Sequence, residues 1–374
     1  MAFSVRTISD PKQLIAIRDA WDLFVERYGN NPLLFSNIVE QIMGWVRSNG
    51  SNPLLLTIWA DGTVVGIAPL MTRRKFGIRY ATFLPFCSFA ACGAWMETCV
   101  SEMLDFLLAR QHCQFIALTA PAASPYIATI KKECARKRIH LSQSEGAGQS
   151  VLTLNSNWHD FAKSRGKKFL QDIRRAERNL NRAGSWGILR LEQPDQASEA
   201  YEHIMRVEKT SWKQSYRNQT GSVDVLLLSI MAGLRSSTQA TPKWCVWFLE
   251  VNDQVVAYVL FLHHRQIAYP VKTSFDQRYA RFGPGIYLMN AAIRSLFEKE
   301  KACKIDFISD VPFTSTWTSE HPKRIRLTIA PDPILPRTAT VLLRGYGFAR
   351  DLRLTRSHWI LKRVYDIVYD LVDL

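Results

Sequence analysis

The chain lacks most of the features that would mark a specialised class. Its seven cysteines are scattered; the closest pair is Cys87 and Cys92, and no C-x-x-C or Cys/His cluster occurs. That spacing serves neither a disulfide framework nor a metal centre, so no metal is expected and a reducing cytoplasm is the simplest compartment. Long apolar runs are missing as well. The opening "MAFSVRTISDPKQL" has no apolar centre of the kind a secretory signal needs. The uncharged run Tyr80 to Met96 is short for a bilayer span and is broken by Pro85 and Gly93, so it reads as buried chain. There is no low-complexity tract, no legible Ser/His/Asp order, and no helix-turn-helix, finger or RNP-type motif. Acids are scarce: 33 Asp and Glu face 48 Lys and Arg, a net charge of +15. That balance favours an anionic partner, whether nucleic acid, a nucleotide-bearing co-substrate, an acidic carrier or anionic lipid.

What remains is an ordinary globular composition. The 374 residues are 47% hydrophobic and 22% charged, enough for two or three domains with sizeable cores. Two segments look like copies. "DGTVVGIAPL" (61–70) resembles "DQVVAYVLF" (253–261), and each is preceded by a strand-like run. Asp61-Gly62 and Asn252-Asp253 are hairpin-type turns. Each copy continues through a basic turn into a third strand-like run. The recurrence implies an α/β (α+β layered) chain with mostly antiparallel sheets flanked by helices. The expected boundaries are 1–150, 151–330 and a C-terminal helical extension, 331–374. The extension's Trp359, Ile360, Val364, Ile367, Val368 and Leu371 form an amphipathic pattern that suits docking on the fold, with peripheral membrane contact as the alternative.

Only the second half has a distinctive turn. In "DQRYARFGPGIYLMNAAI" (276–293), Gly283 and Gly285 flank Pro284 and precede a helical pattern carried by Ile286, Met289, Ile293 and Leu296. Pro suits the first helical turn, glycine permits a sharp turn and close approach, and a helix start offers unpaired N–H groups to a phosphate. A plain strand-to-helix turn is the bland reading. The strand "KIDFISD" (304–310) is expected to follow. Upstream, 163–184 predicts a helix with Phe169, Ile173, Ala176 and Leu180 on one side and Lys167, Arg174, Arg178 and Arg182 near the other. Such a face is usually only solvated, but eight Lys and Arg against two acids across this segment leave an anion-binding role open.

Taken in order, "KKFLQDIRRAERNL", "VEKTSWK", "EVNDQVVAYVLFL", "FDQRYARFGPGIYLMNAAI" and "IDFISDVPFTSTW" resemble the CelD/BcsL-like acyltransferases of the GNAT superfamily. The N-terminal "AWDLFVERYGNNPLLF" and "DGTVVGIAPLMTRRKFGIR" fit that family's opening, and the likeness spans most of 10–330. FemABX-type enzymes share the doubled architecture. The resemblance implies two GNAT-like halves, the second carrying a donor site, and acyl transfer from a thioester such as acetyl-CoA. It implies that Arg278, Arg281, Phe282, Gly283, Pro284, Gly285 and Ile286 hold the donor. The family's usual Gln or Arg at the first loop position is Ala280 here.

Direct acyl transfer needs a base for the acceptor's proton and donors for the developing oxyanion. Glu208 and Asp310 are the candidate catalytic carboxylates; a surface helix glutamate and a turn aspartate are the plain alternatives. Trp212, Lys272 and Asp276 are candidates for the acceptor side, with core packing for Trp212 and a cap or turn role for Asp276 as alternatives. His263 and His264 are expected to lie exposed at a hairpin end. The acceptor implied is an amine or hydroxyl on a small molecule, saccharide or saccharide precursor. A tRNA-dependent aminoacyl transferase of FemABX type and a non-catalytic binding protein are the rival readings.

Overall fold

The computed structural model describes residues 3–29, 31–75, 77–146, 148–211, 213, 230, 242–300 and 302–332. In chain order the strands are β1 (Phe3–Ile8), β2 (Asn52–Ala60), β3 (Thr63–Lys75), β4 (Ile78–Phe83), β5 (Ala90–Ala91), β6 (Phe115–Pro121), β7 (His140–Glu145), β8 (Val151–Thr153), β9 (Trp186–Leu191), β10 (Lys243–Val251), β11 (Gln254–His264), β12 (Ile267–Phe275), β13 (Lys304–Asp306) and β14 (Arg324–Ala330). The helices are α1 (Pro11–Ala16), α2 (Arg18–Tyr28), α3 (Ser36–Ser48), α4 (Met96–Asp105), α5 (Pro125–Lys137), α6 (Trp158–Ser164), α7 (Gly166–Ala183), α8 (Ala197–Thr210) and α9 (Pro284–Glu298).

The chain folds as two units. The first comprises the residues up to Gln149, Ser309–Val311 and the segment from Pro322; the second comprises Ser150–Ile308 and Pro312–His321. In the first, one sheet runs β1-β2-β3-β4-β6-β14-β7, with β5 paired to β3; in the second, the order is β8-β13-β12-β11-β10-β9. The fold is thus mixed α/β, with two sheets flanked by helices. One expected assignment changes. Residues 324–330 were expected in the second half, yet β14 pairs antiparallel with β6 and β7 of the first unit. Its alternation explains why: Ile325, Leu327 and Ile329 are buried in the first unit's core. A strand with that period places its apolar face on a core and its Arg and Thr side chains on the other face. The expected C-terminal helical extension lies, from residue 333, outside the described residues.

The duplicated hairpins are real and alike in detail. Asp61 and Gly62 have φ of 46° and 82°, and Asn252 and Asp253 have φ of 50° and 61°. Both loops are two residues long, closing at Ala60↔Thr63 and Val251↔Gln254. Two left-handed central residues give the turn whose twist matches right-twisted strands, which explains Asp-Gly and Asn-Asp at these positions. The register then slips in both hairpins at the same offset. Trp59 faces Val64 but Ile58 faces Gly66, and Glu250 faces Val255 but Leu249 faces Ala257. Val65 and Val256, the second valine of each Val-Val pair, are therefore the extra residues of matching β-bulges.

The expected helix over 163–184 forms as two pieces. α6 ends at Ser164, and Gly166, at φ 87°, starts α7. α7 buries Phe169, Ala176 and Leu180. α9 buries Leu288, Met289, Ala292, Ile293 and Leu296 in the same core, which holds the sheet's Ala257, Val259 and Phe261. Burying each large apolar side chain contributes about 1.5–3 kcal/mol, which anchors α9 and fixes where its N-terminus lies. The strand expected over 304–310 is shorter. β13 stops at Asp306, whose carboxylate accepts from the Ile308 N–H at 2.9 Å, and Ile308 turns left-handed at φ 64°.

Candidate functional site

The second unit's site begins where β12 ends. β12 and β13 pair in parallel only at Ile267↔Lys304 and Ala268↔Ile305. Beyond those residues β12 continues to Phe275 while β13 stops. Pro270, which supplies no N–H, and Val271, an extra residue opposite β11 between Leu260↔Lys272 and Phe261↔Pro270, disturb the ladder there.

Asp276 then starts a 3₁₀ turn, Gln277–Phe282. Its carboxylate accepts from the Arg278 N–H at 2.9 Å and makes a two-pronged pair with the Arg278 guanidinium at 3.1 and 2.6 Å. Burial pushes the Asp276 carboxyl upward, but the hydrogen bonds from Arg278 outweigh it and hold the group below its ordinary value. So Asp276 caps the turn, and Arg278 is tied to it. Arg281 is exposed, its guanidinium 4.7 Å above the Phe282 ring. The turn closes on Gly283, which accepts from the Tyr287 N–H at 3.2 Å. Gly283 adopts the left-handed φ of 69°, and a Cβ there would meet the Cβ of Ala176 at 3.3 Å. Gly285 is constrained differently: its missing Cβ would lie 3.3 Å from the Phe275 ring. Pro284 occupies the first helical position, so the N–H groups of Gly285 and Ile286 lead the first turn of α9. No acidic side chain lies in that turn. A left-handed glycine followed by a helix start with no carboxylate of its own is a cradle for an anion.

A second cluster lies where α8 packs against β11 and β12. Glu208, near the end of α8, is 0% exposed. Its Oε1 accepts from the Tyr258 hydroxyl and lies 3.5 Å from Nζ of Lys272. Tyr258 and Lys272 are also buried. Glu208 is therefore not the surface helix glutamate that its sequence neighbours allowed. A buried carboxylate, ammonium and phenol hold one another: removing one leaves an uncompensated charge or dipole in the interior. Next to them Ser211 and Ser274 share a hydrogen bond of 2.7 Å, Ser211 bridges to Asp276, and the Lys213 ammonium donates to the Thr273 carbonyl at 2.8 Å. This polar seam runs from the end of α8 to the start of the Gly283 turn.

Other expected residues fall elsewhere. Trp212 lies outside the described residues. Asp310 is not at a strand end; it belongs to the first unit and packs against Gly148, where an added Cβ would sit 2.7 Å from its own Cβ. His263 and His264 are not exposed. His264 is buried, and His263 is half-buried, its Nε2 3.3 Å from Sγ of Cys245. Burial, aided by Arg190, lowers the His263 pKa to about 4, and burial pushes the Cys245 thiol up to about 12. Both are neutral at pH 7, which makes this pair an inert structural contact rather than a nucleophile. Sequence reasoning missed Tyr258. Its only signal was a polar-tipped aromatic in an otherwise apolar strand, a residue that needs a partner when buried.

Among the described residues, no group of three or more His, Cys, Asp and Glu could hold a metal ion, and no helix is long and apolar enough to cross a membrane. Residues 167–310 match the family model of the acetyltransferase (GNAT) domain. No curated protein matches the chain. FemX is similar in structure, with a TM-score of 0.55 at 11% identity, covering 87% of this chain and 97% of its own. The C-terminal domain of a putative lysylphosphatidylglycerol synthetase from Agrobacterium fabrum has a TM-score of 0.54 at 12% identity, with 88% and 95% covered. A conserved protein of unknown function from Bacteroides thetaiotaomicron has a TM-score of 0.53 at 10% identity, with 84% and 97% covered. At these identities the likeness is one of fold, and the family match over 167–310 takes in the Gly283 turn and Glu208.

Proposed function

We propose that the chain transfers an acyl group, acetyl in the simplest case, from acyl-CoA to an amine or hydroxyl acceptor, as in CelD/BcsL-like enzymes. The observation that carries this reading is the left-handed Gly283 turn delivering the N–H groups of Gly285 and Ile286 after the end of β12, beyond the residues at which that strand pairs with β13. A pyrophosphate against that helix start gains backbone hydrogen bonds and a favourable dipole. Arg281 is exposed beside it; Arg278 is already engaged by Asp276. Ala280 does not weaken this reading, since the donors are backbone groups.

In the transfer, the acceptor's nitrogen or oxygen attacks the thioester carbon, the C–S bond breaks, and CoA leaves as the thiol. The acceptor's proton needs a base, and Glu208 is the better placed of the two candidate carboxylates. It lies in the same unit as the donor turn, held by Tyr258 and Lys272. Asp310 is retained as the rival base. A saccharide or its precursor is the proposed acceptor, and the cytoplasm the proposed site of action; both rest on family resemblance.

The test is the effect of acyl-CoA on thermal unfolding of the parent and of Gly285→Val. Saturating acyl-CoA raises the parent's Tm by mass action and raises the variant's less. Equal shifts would remove the turn from the donor site. The exposed cations of α7 favour one second reading, transfer from an aminoacyl-tRNA. It requires tight RNA binding that weakens steeply with salt.

A further inference from the structure

α7 carries a charge pattern that its own stability does not explain. Its first turn has no acid, and Lys167 and Lys168 stand there instead, at the end where the helix dipole disfavours cations. Arg174, Arg178 and Arg182 follow at four-residue spacing, so each repels the next. These five side chains are exposed, and no ion pair or hydrogen bond joins any of them to another group among the described residues. Arg175 is also exposed but pairs with Asp172 at 2.9 Å.

The cations are segregated as well as dense. At about 100° per residue, Lys167, Lys168, Arg174, Arg175, Arg178 and Arg182 fall within an arc of about 120° that only Gln171 shares. The two acids, Asp172 and Glu177, lie outside it, one on either side. Opposite are Phe169, Ala176 and Leu180, which are buried. Ala176 and Asn179, which meet the Gly283 turn, also fall outside the arc, so the donor turn does not account for these cations. At 1.5 Å per residue, the row from Lys167 to Arg182 is about 22 Å long.

We infer that this face of α7 docks the protein on an anionic phospholipid surface. The fit is one of charge complementarity. A row of cations on one convex helix meets a layer of phosphate headgroups along its whole length, and a cluster of about four to eight Lys and Arg is the size that anionic bilayers attract. The apolar side of α7 is committed to the core, so the contact is electrostatic and inserts nothing into the acyl layer. A nucleic acid is the poorer fit. The arc holds no aromatic side chain on which an unpaired base could stack, and its cations lie on one helix rather than along a groove. The net charge of +15 adds long-range attraction to an anionic surface. Docking of this kind is separable from donor binding and is tested without an acyl donor.

Sedimentation of the full chain with vesicles measures it. The parent binds vesicles of equal parts phosphatidylcholine and phosphatidylglycerol, does not bind phosphatidylcholine alone, and is released by high salt. Arg174→Gln/Arg178→Gln/Arg182→Gln binds the anionic vesicles roughly 100-fold more weakly, at about fivefold per cation. Arg174→Lys/Arg178→Lys/Arg182→Lys keeps the parent's affinity, because a headgroup layer responds to charge rather than to the guanidinium fork. The control Lys12→Gln/Arg110→Gln/Lys131→Gln removes three exposed cations from the first unit and stays within about threefold of the parent. Failure of the parent to prefer the anionic vesicles would overturn the inference, as would full binding by the glutamine variant of α7. An equal loss in the control would make net charge the cause, and a loss in the lysine variant would make the contact a shaped phosphate site; either overturns it. Tighter binding of the parent to mixed-sequence RNA than to vesicles, abolished in the glutamine variant, would give the face to a nucleic acid and overturn it as well.

Discussion

The two units begin alike and diverge at one turn. Both build a β-hairpin on a two-residue left-handed loop, both insert a bulge at the second valine after it, and both add a third antiparallel strand and then a parallel one. In the first unit the parallel pair is β4 with β6, closed by stacking of Tyr80 on Phe115 at 4.8 Å. β6 runs on to Pro121 and pairs with β14 along its length. Its helix after the third strand, α4, starts at Met96 behind Trp95, with no side-chain cap. Gly93 lies nearby but is not left-handed, and nothing approaches its missing Cβ within 4 Å. In the second unit the parallel strand β13 stops after three residues, and a left-handed glycine starts the helix. The difference teaches that the shared hairpin is scaffold. The proposed capacity for an anion rests on the one turn that follows it.

Seven substitutions sharpen that contrast, and the largest effect is expected at Glu208. Glu208→Gln should lower turnover by roughly 10²–10⁴-fold if the carboxylate takes the proton. It also removes the carboxylate charge 3.5 Å from the buried Lys272 ammonium, so activity must be measured well below the variant's unfolding temperature. Asp310→Asn, in the other unit, should leave turnover within about threefold; a large loss there with a small one at Glu208 would move the base across the chain.

Next are the two glycines. Gly283→Ala forces a side chain into a left-handed backbone and against Ala176, costing about 1–2 kcal/mol in denaturant unfolding and weakening acyl-CoA binding. Gly93→Ala should change neither by more than about 0.5 kcal/mol. Equal effects would mean that the units do not differ at this turn.

A smaller effect is expected from acid. The folded pKa of His263 is depressed from 6.5 to about 4, so the unfolded chain binds the proton first. Stability is intact above pH 6.5 and falls as pH drops toward 4. His263→Asn should remove that part of the acid sensitivity. An unchanged pH profile of Tm would show that His263 is solvated. The smallest change is expected at the hairpins. Asp253→Gly relieves a left-handed aspartate and should stabilise by a few tenths of a kcal/mol, whereas Gly62→Ala should cost about 1 kcal/mol.

What could be read from the sequence was what is local. Asp61-Gly62 and Asn252-Asp253 specify their turns through their own φ preferences, and Gly283-Pro284 specifies a helix start within three residues. α7 was legible from its period, though not its break at Arg165, because a single left-handed glycine leaves the periodicity intact. The distant pairings were not legible. β14 returns to β6 across about two hundred residues, and nothing in its Ile, Leu, Ile alternation says which sheet will take it. Glu208 is legible as a candidate base, with a surface helix glutamate as the alternative, and the sequence does not decide between them because its burial depends on Tyr258 and Lys272, 50 and 64 positions away. Asp310 was misplaced because Ile308, a β-branched residue, gave no warning of its left-handed turn. Sequence patterning reports which face is apolar; it does not report what that face meets.

The central claim is that one unit, not both, holds the acyl donor at the turn before its helix. Hydrogen exchange on the full chain, with and without saturating acetyl-CoA, measures this directly, because the amides of both turns are followed in one experiment. The account predicts slowed exchange in peptides covering 276–290 and none in those covering 84–99. Equal protection of both segments, or protection of 84–99 alone, would contradict it.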